Sequence, residues 1–172
     1  GWPERFDVIE WIKLIISWNS NAQIILHGVS MGAATVLMAS GEELPENVKA
    51  IIADCGYTSE WDEFKCEANA LHIPWFPVLN AASVMSRLRD GYDFKQASAL
   101  EQVKQSRIPT LFIHGSDDEL VPYSMLDKLY SAAVCKKECL TVNGAGHALS
   151  SSVEPELYWN TVESFIEKYL EK

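Results

Sequence analysis

Three residue types in this chain, suitably placed, could turn an alcohol into a nucleophile. Ser30 sits in Gly28-Val29-Ser30-Met31-Gly32, which fits the pattern G-x-S-x-G. A serine hydroxyl attacks poorly at neutral pH, so it requires a base within hydrogen-bond reach, and that base requires an orienting acid. Of the histidines at 27, 72, 114 and 147, His147 lies last, in Asn143-Gly144-Ala145-Gly146-His147, where glycines allow a loop to carry an imidazole back over earlier elements. His27 and His114 each precede a glycine at the end of an apolar run and are expected to pack or hydrogen-bond beside a site. His72 is equally consistent with a solvent-facing position. Asp54, Asp117 and Asp118 all fall between Ser30 and His147, in the order nucleophile, acid, base that this motif uses. Adjacent aspartates cannot both face one imidazole, so the choice stays open on these grounds.

The three fixed positions of G-x-S-x-G arise by chance in roughly one chain of this size in twenty. The surrounding elements therefore decide whether the match means anything. Residues 23–26 form a short apolar run and residues 33–39 a run of small helix-forming residues, which reads as strand, turn, helix with Ser30 at the turn. At such a turn Gly28 and Gly32 are expected to keep side chains out of crowded flanks. The new helix aims its positive end, and the Met31 N–H, at any oxyanion formed beside Ser30. The plainer alternative is an ordinary glycine-rich junction with Ser30 as an N-cap.

Further strands are expected at 48–53, 110–113 and 138–142, with helices over 3–18, 124–133 and 156–170. Short apolar strands alternating with helices predict an α/β fold with a parallel sheet covered on both faces. Residues 57–107 interrupt the rhythm with an aromatic-rich insertion, expected to hold helices over 60–71 and 79–88 and to end the second at Gly91. An insertion at the carboxyl end of a strand overlies the ligand crevice of an open α/β sheet, so it is a candidate lid. Trp61, Phe64, Trp75 and Phe76 within it could line an apolar substrate pocket or simply pack the insertion.

The chain has 172 residues, 48% hydrophobic and 22% charged, as befits one globular domain over 1–172. Its net charge of −10 repels a phosphate backbone and disfavours nucleic-acid binding. No apolar run is long enough to span a bilayer, and residues 1–20 lack signal-peptide patterning. Cys55, Cys66, Cys135 and Cys139 show neither a CxxC pair nor a zinc-finger spacing and are expected to be free thiols. Acidity and free thiols point to the cytoplasm.

Four segments together resemble the α/β-hydrolase superfamily, and most nearly its bacterial esterase-type and prolyl-oligopeptidase-related members. They are GVSMG around Ser30, ADCGYTS at 53–59, the pattern H-G-x-x-D-x-x-V-P filled by His114, Gly115, Asp118, Val121 and Pro122, and GAGH at 144–147. The resemblance implies Ser30 as nucleophile, Asp118 as acid and His147 as base, with no metal or organic cofactor. It also implies about eight strands, with a second oxyanion donor supplied ahead of the elbow, whereas here the elbow follows the first recognisable strand. The N-terminal strands of the full fold are thus expected to be missing from this chain, leaving the strand at 23–26 as an apolar edge for a missing segment or another chain to cover.

The expected function is hydrolysis of small carboxylic esters through an acyl-enzyme, with this chain alone expected to be inactive. A peptidase or thioesterase would use the same three residues, and a non-catalytic interaction module would keep only the fold. A nucleotide-binding domain is disfavoured by the absence of a G-x-G-x-x-G or P-loop sequence.

Overall fold

A computed structural model describes residues 1–170. Within them four parallel strands lie in the order β1-β2-β3-β4: β1 (Ile24–Val29), β2 (Val48–Asp54), β3 (Thr110–Gly115) and β4 (Lys137–Val142). Parallel neighbours need crossovers, and each crossover here contains helix. Helix α1 (Glu4–Trp18) leads into β1, and α2 (Met31–Ala39) joins β1 to β2. Helices α3 (Glu60–Ala70), α4 (Trp75–Asp90) and α5 (Ala99–Val103) lie between β2 and β3. Helix α6 (Ser124–Ala132) joins β3 to β4, and α7 (Ser150–Val153) and α8 (Pro155–Glu167) follow the sheet.

The apolar strands are continuous because both faces are buried. Ile51, Ala53 and Phe112 pack on one face with Ile12 of α1, Leu37 of α2, Val103 of α5 and Leu129 of α6. Ala50, Ile52, Leu111 and Ile113 point to the other face, against Tyr158, Val162 and Phe165 of α8. Within this sheet β1 pairs with β2 alone and is an edge, with Val29 42% exposed. Among the described residues no helix is long and apolar enough to cross a membrane, and all four cysteines are free.

The strands run further than apolar runs alone predict. β1 continues through His27 and Gly28 to Val29, and β3 through His114 to Gly115, because ladder pairing with β2 and β4 continues past the last aliphatic residue. In the insertion, α4 is broken at Phe76 (φ −97°, ψ 133°), which the following Pro77 forces out of helical geometry. Ser83 and Ser86 of α4 fasten the next loop through Phe94 N–H and Tyr92 O. Gly91 ends α4 in the left-handed region (φ 81°), as its position predicts. The short helices α5 and α7 carry too few turns to leave a periodic signal in the sequence.

One expectation about the turn is corrected. A Cβ at Gly28 would lie 2.3 Å from the Gly32 carbonyl oxygen, whereas a Cβ at Gly32 would meet nothing within 4 Å. The crowding is one-sided, because the helix backbone turns back over the strand at Gly28. Gly28→Ala should therefore lose about 1–3 kcal/mol of stability by overpacking, while Gly32→Ala should stay within about 0.5 kcal/mol or gain stability through helix propensity. Urea denaturation of both variants checks this, and equal losses would contradict it.

Candidate active site

Ser30 occupies the junction between β1 and α2 with φ 55° and ψ −119°, a conformation costly for a residue with a Cβ. Two backbone bonds hold it: the Ser30 N–H donates to the Asp54 carbonyl of β2 (2.8 Å), and the Ser30 carbonyl accepts from Ala34 N–H (3.0 Å). Its hydroxyl is thereby lifted off the carboxyl end of the sheet. Met31 opens α2, so its N–H is one of the first-turn donors that helix geometry leaves without an intrahelical acceptor.

His147 reaches this hydroxyl from the loop after β4. The loop turns at Gly144 (φ 75°), and Asp117 N–H donates to the Ala145 carbonyl (3.0 Å). A Cβ at Gly115 would lie 2.2 Å from that same Ala145 oxygen, so a glycine at the end of β3 is what permits the close approach. The His147 Nε2 then lies 2.8 Å from Ser30 Oγ and its Nδ1 2.9 Å from Asp118 Oδ2, with the ring 21% exposed.

The geometry settles which aspartate faces the ring. Asp118 has a fully buried carboxylate: Oδ1 accepts the N–H groups of Leu120 (3.0 Å) and Val121 (2.9 Å), and Oδ2 lies 3.3 Å from His114 Nε2 as well as beside His147. Burial alone would push its pKa up, but the hydrogen bonds from His114, His147 and Val121 outweigh it and hold the carboxyl below its ordinary value. His114 is itself buried, and because its Nε2 lies 2.9 Å from the Val121 carbonyl oxygen, that nitrogen carries the proton. Asp117 instead accepts from the Ser116 hydroxyl (2.6 Å), and Asp54 accepts from Ser150 (3.3 Å) and Tyr158. Burial raises the Asp54 pKa. His27 bonds Tyr158 through Nε2 (3.0 Å) and packs against Trp159, while His72 is exposed between α3 and α4.

A cavity of ≈ 370 Å³ opens beside Ser30 and Met31, bounded by Tyr57, Glu63, Phe64 and Leu120 among others. Of the four aromatic residues expected to meet substrate, Phe64 alone borders this cavity. Trp75 lines a neighbouring apolar cavity of ≈ 250 Å³ that shares Phe64 and Phe94 with the first. Trp61 borders neither, packing edge-on against Trp75 with Lys95 above it, and Phe76 is 66% exposed. Cys55, expected only as a free thiol, follows β2 at φ 48° and brings its Sγ within 4.8 Å of the Asp118 and His147 ligand atoms. Burial, reinforced by Asp54, pushes that thiol up to about 12 and keeps it protonated, which works against the thiolate a metal ion would need.

The sequence profile of the prolyl oligopeptidase family matches residues 4–172. An uncharacterized protein of Bacillus subtilis, YqkD, is 28% identical over 169 residues, covering 97% of this chain and 55% of its own length. The alpha/beta hydrolase domain-containing protein WAV2 of Arabidopsis thaliana is 28% identical over 182 residues, covering 98% of this chain and 56% of its own. The chain thus spans about half the length of the curated relatives it matches. Among solved structures, the Pyrococcus furiosus esterase Pf2001 superposes with a TM-score of 0.74 at 19% identity, covering 98% of this chain and 63% of the esterase. The Pyrococcus horikoshii acylaminoacyl peptidase does so with a TM-score of 0.70 at 17% identity, covering 98% of this chain and 28% of the peptidase. At these identities the likeness is one of fold. The profile match is of another kind, since it runs along nearly the whole sequence, and by it the chain belongs to the prolyl oligopeptidase family, within the α/β-hydrolase superfamily.

Proposed function

We propose that the protein is a serine hydrolase that cleaves carboxylic esters through an acyl-enzyme, with Ser30, His147 and Asp118 as nucleophile, base and acid. The observation that carries this reading is the unbroken hydrogen-bonded line from Ser30 Oγ to His147 (2.8 Å) and from His147 to Asp118 (2.9 Å), built on a strained turn. Ser30 Oγ attacks the carbonyl carbon while its proton passes to His147 Nε2. Asp118 holds the Nδ1–H and stabilises the imidazolium that forms. Negative charge gathers on the carbonyl oxygen, where the Met31 N–H and the positive end of α2 oppose it. Collapse of the tetrahedral species breaks the carbonyl–oxygen bond to the alcohol, which leaves with the proton from His147. Water then repeats the sequence on the acyl-serine, releasing the acid and restoring Ser30. The insertion between β2 and β3 would act as a cover over the cavity beside Ser30, which Phe64 of α3 and Phe94 beyond α4 border.

Membership of a family named for a peptidase favours amide cleavage as a second reading of the same residues. Matched p-nitrophenyl ester, thioester and p-nitroanilide substrates with one acyl group separate them: the ester reading expects kcat/KM to be highest for the oxygen ester, and a faster anilide would overturn it in favour of the peptidase. Activity of the whole protein should vanish in Ser30→Ala. Asp118→Asn should lower kcat by about four orders of magnitude with folding retained, as in the serine-protease template. Full activity in either variant, measured on the best ester of the set, would remove the proposed roles. A module that binds but does not cleave would show no turnover even in the unaltered protein.

A further inference from the structure

The mechanism leaves unused the most unusual group on the wall beside Ser30. That cavity is bordered by the carboxylates of Glu4, Glu60, Glu63 and Glu67 and by Gly1, and among the described residues no lysine, arginine or histidine side chain borders it. Two of the four are already engaged: Glu4 lies 2.7 Å from the Gly1 nitrogen, and Glu60 accepts the Trp2 N–H at 3.3 Å. Glu63 is not. The residue is 7% exposed, and its Oε2 is sealed from solvent without a hydrogen-bond partner. An ionised carboxylate in that position lacks compensation, which costs free energy until a donor or a cation arrives. The aromatic residues Tyr57, Phe64, Tyr92 and Phe94 line the same cavity, and an aromatic face turned to a cation attracts it through its quadrupole.

We infer that this cavity receives a positively charged nitrogen of the substrate, an ammonium or guanidinium group, with Glu63 as its counter-ion, so that the protein prefers substrates with a basic group on the acyl chain. The inference rests on the proposed role of Ser30, since the same cavity must hold the reacting bond. Its pH dependence follows from the groups around Glu63. Burial, then Glu67 on the same helix and Asp118 beyond β3, raise the Glu63 pKa to about 7. Tyr57 after β2, Glu60 on α3 and Glu4 on α1 border the same cavity and add no positive charge, and the Gly1 nitrogen at its wall is taken up by Glu4. Glu63 therefore gains its charge as pH rises through about 7, while an alkylammonium remains protonated up to about 10. Preference for a cationic substrate should grow across that interval.

The test compares p-nitrophenyl 6-aminohexanoate with p-nitrophenyl heptanoate, nearly isosteric esters that differ in charge, in the whole protein. The ratio of their kcat/KM values should exceed about tenfold at pH 8, as one charge-assisted hydrogen bond supplies, and should fall several-fold by pH 6. Any pH effect common to both esters cancels in the ratio. In Glu63→Gln the ratio should drop by about tenfold and lose its pH dependence, because a neutral amide cannot serve as counter-ion. Hydrolysis of both esters with no cationic preference overturns the inference and leaves the proposed function standing. So does a preference that survives Glu63→Gln undiminished. If that variant does not fold, a ratio in the unaltered protein that stays flat from pH 6 to pH 8 overturns it by itself. Absence of turnover for both esters, together with no labelling by a fluorophosphonate, removes the proposed function and this inference with it.

Discussion

The site depends on a backbone constraint at one residue: Ser30 must hold φ 55° and ψ −119° between a strand and a helix. A conformation of this kind costs roughly 1–3 kcal/mol and persists where its surroundings over-determine it. Here they do. β1 is held in register with β2 up to Val29 and Asp54, the Ser30 N–H is tied to the Asp54 carbonyl, and Gly28 lets the start of α2 fold back to a separation no Cβ would allow. The strain is thus balanced by ladder pairing and close packing, and what it yields is a hydroxyl standing free of its own sheet. The first-turn donors of α2 then face the space where that hydroxyl would react.

A second constraint brings the imidazole to it. His147 and Asp118 lie on different loops, after β4 and β3, and these loops meet because Gly115 has no side chain to keep Ala145 away. Asp118 is the hub of the meeting. Its carboxylate is buried, accepts two backbone N–H groups and faces two imidazoles, so its hydrogen bonds outweigh the desolvation that would otherwise neutralise it. The same burial with no such donors leaves Glu63 with a raised pKa. Two carboxylates near one cavity are thereby pushed in opposite directions by whether donors reach them, which is the difference on which their two proposed roles rest.

Much of this was legible in the sequence, and the reasons are local. The G-x-S-x-G pattern between an apolar run and a small-residue run located the turn at Ser30, and the glycine-bracketed histidine after the last strand located His147. The choice of Asp118 over Asp117 and Asp54 came from the resemblance carried by the H-G-x-x-D-x-x-V-P pattern, and the buried carboxylate against His147 agrees with it. The apolar runs stop short of the strand ends because residues such as His27 and His114 pair through their backbones, whatever their side chains. The insertion was the least legible part. Trp61 and Phe76 are as aromatic as Phe64, yet neither borders the cavity beside Ser30: Phe76 sits at the break in α4 and Trp61 packs on Trp75. Glu63 gave no sequence signal, since its burial depends on how α3 lies over the sheet and an acidic residue on a helix ordinarily faces water.

The most direct test of the central claim is chemical mapping of the reactive hydroxyl. The whole protein, treated with a fluorophosphonate and digested, should carry one adduct per chain, and tandem mass spectrometry should place it on Ser30 in the peptide that spans β1 and α2. An adduct on any other residue, or none under conditions where the protein hydrolyses an ester, would contradict the account.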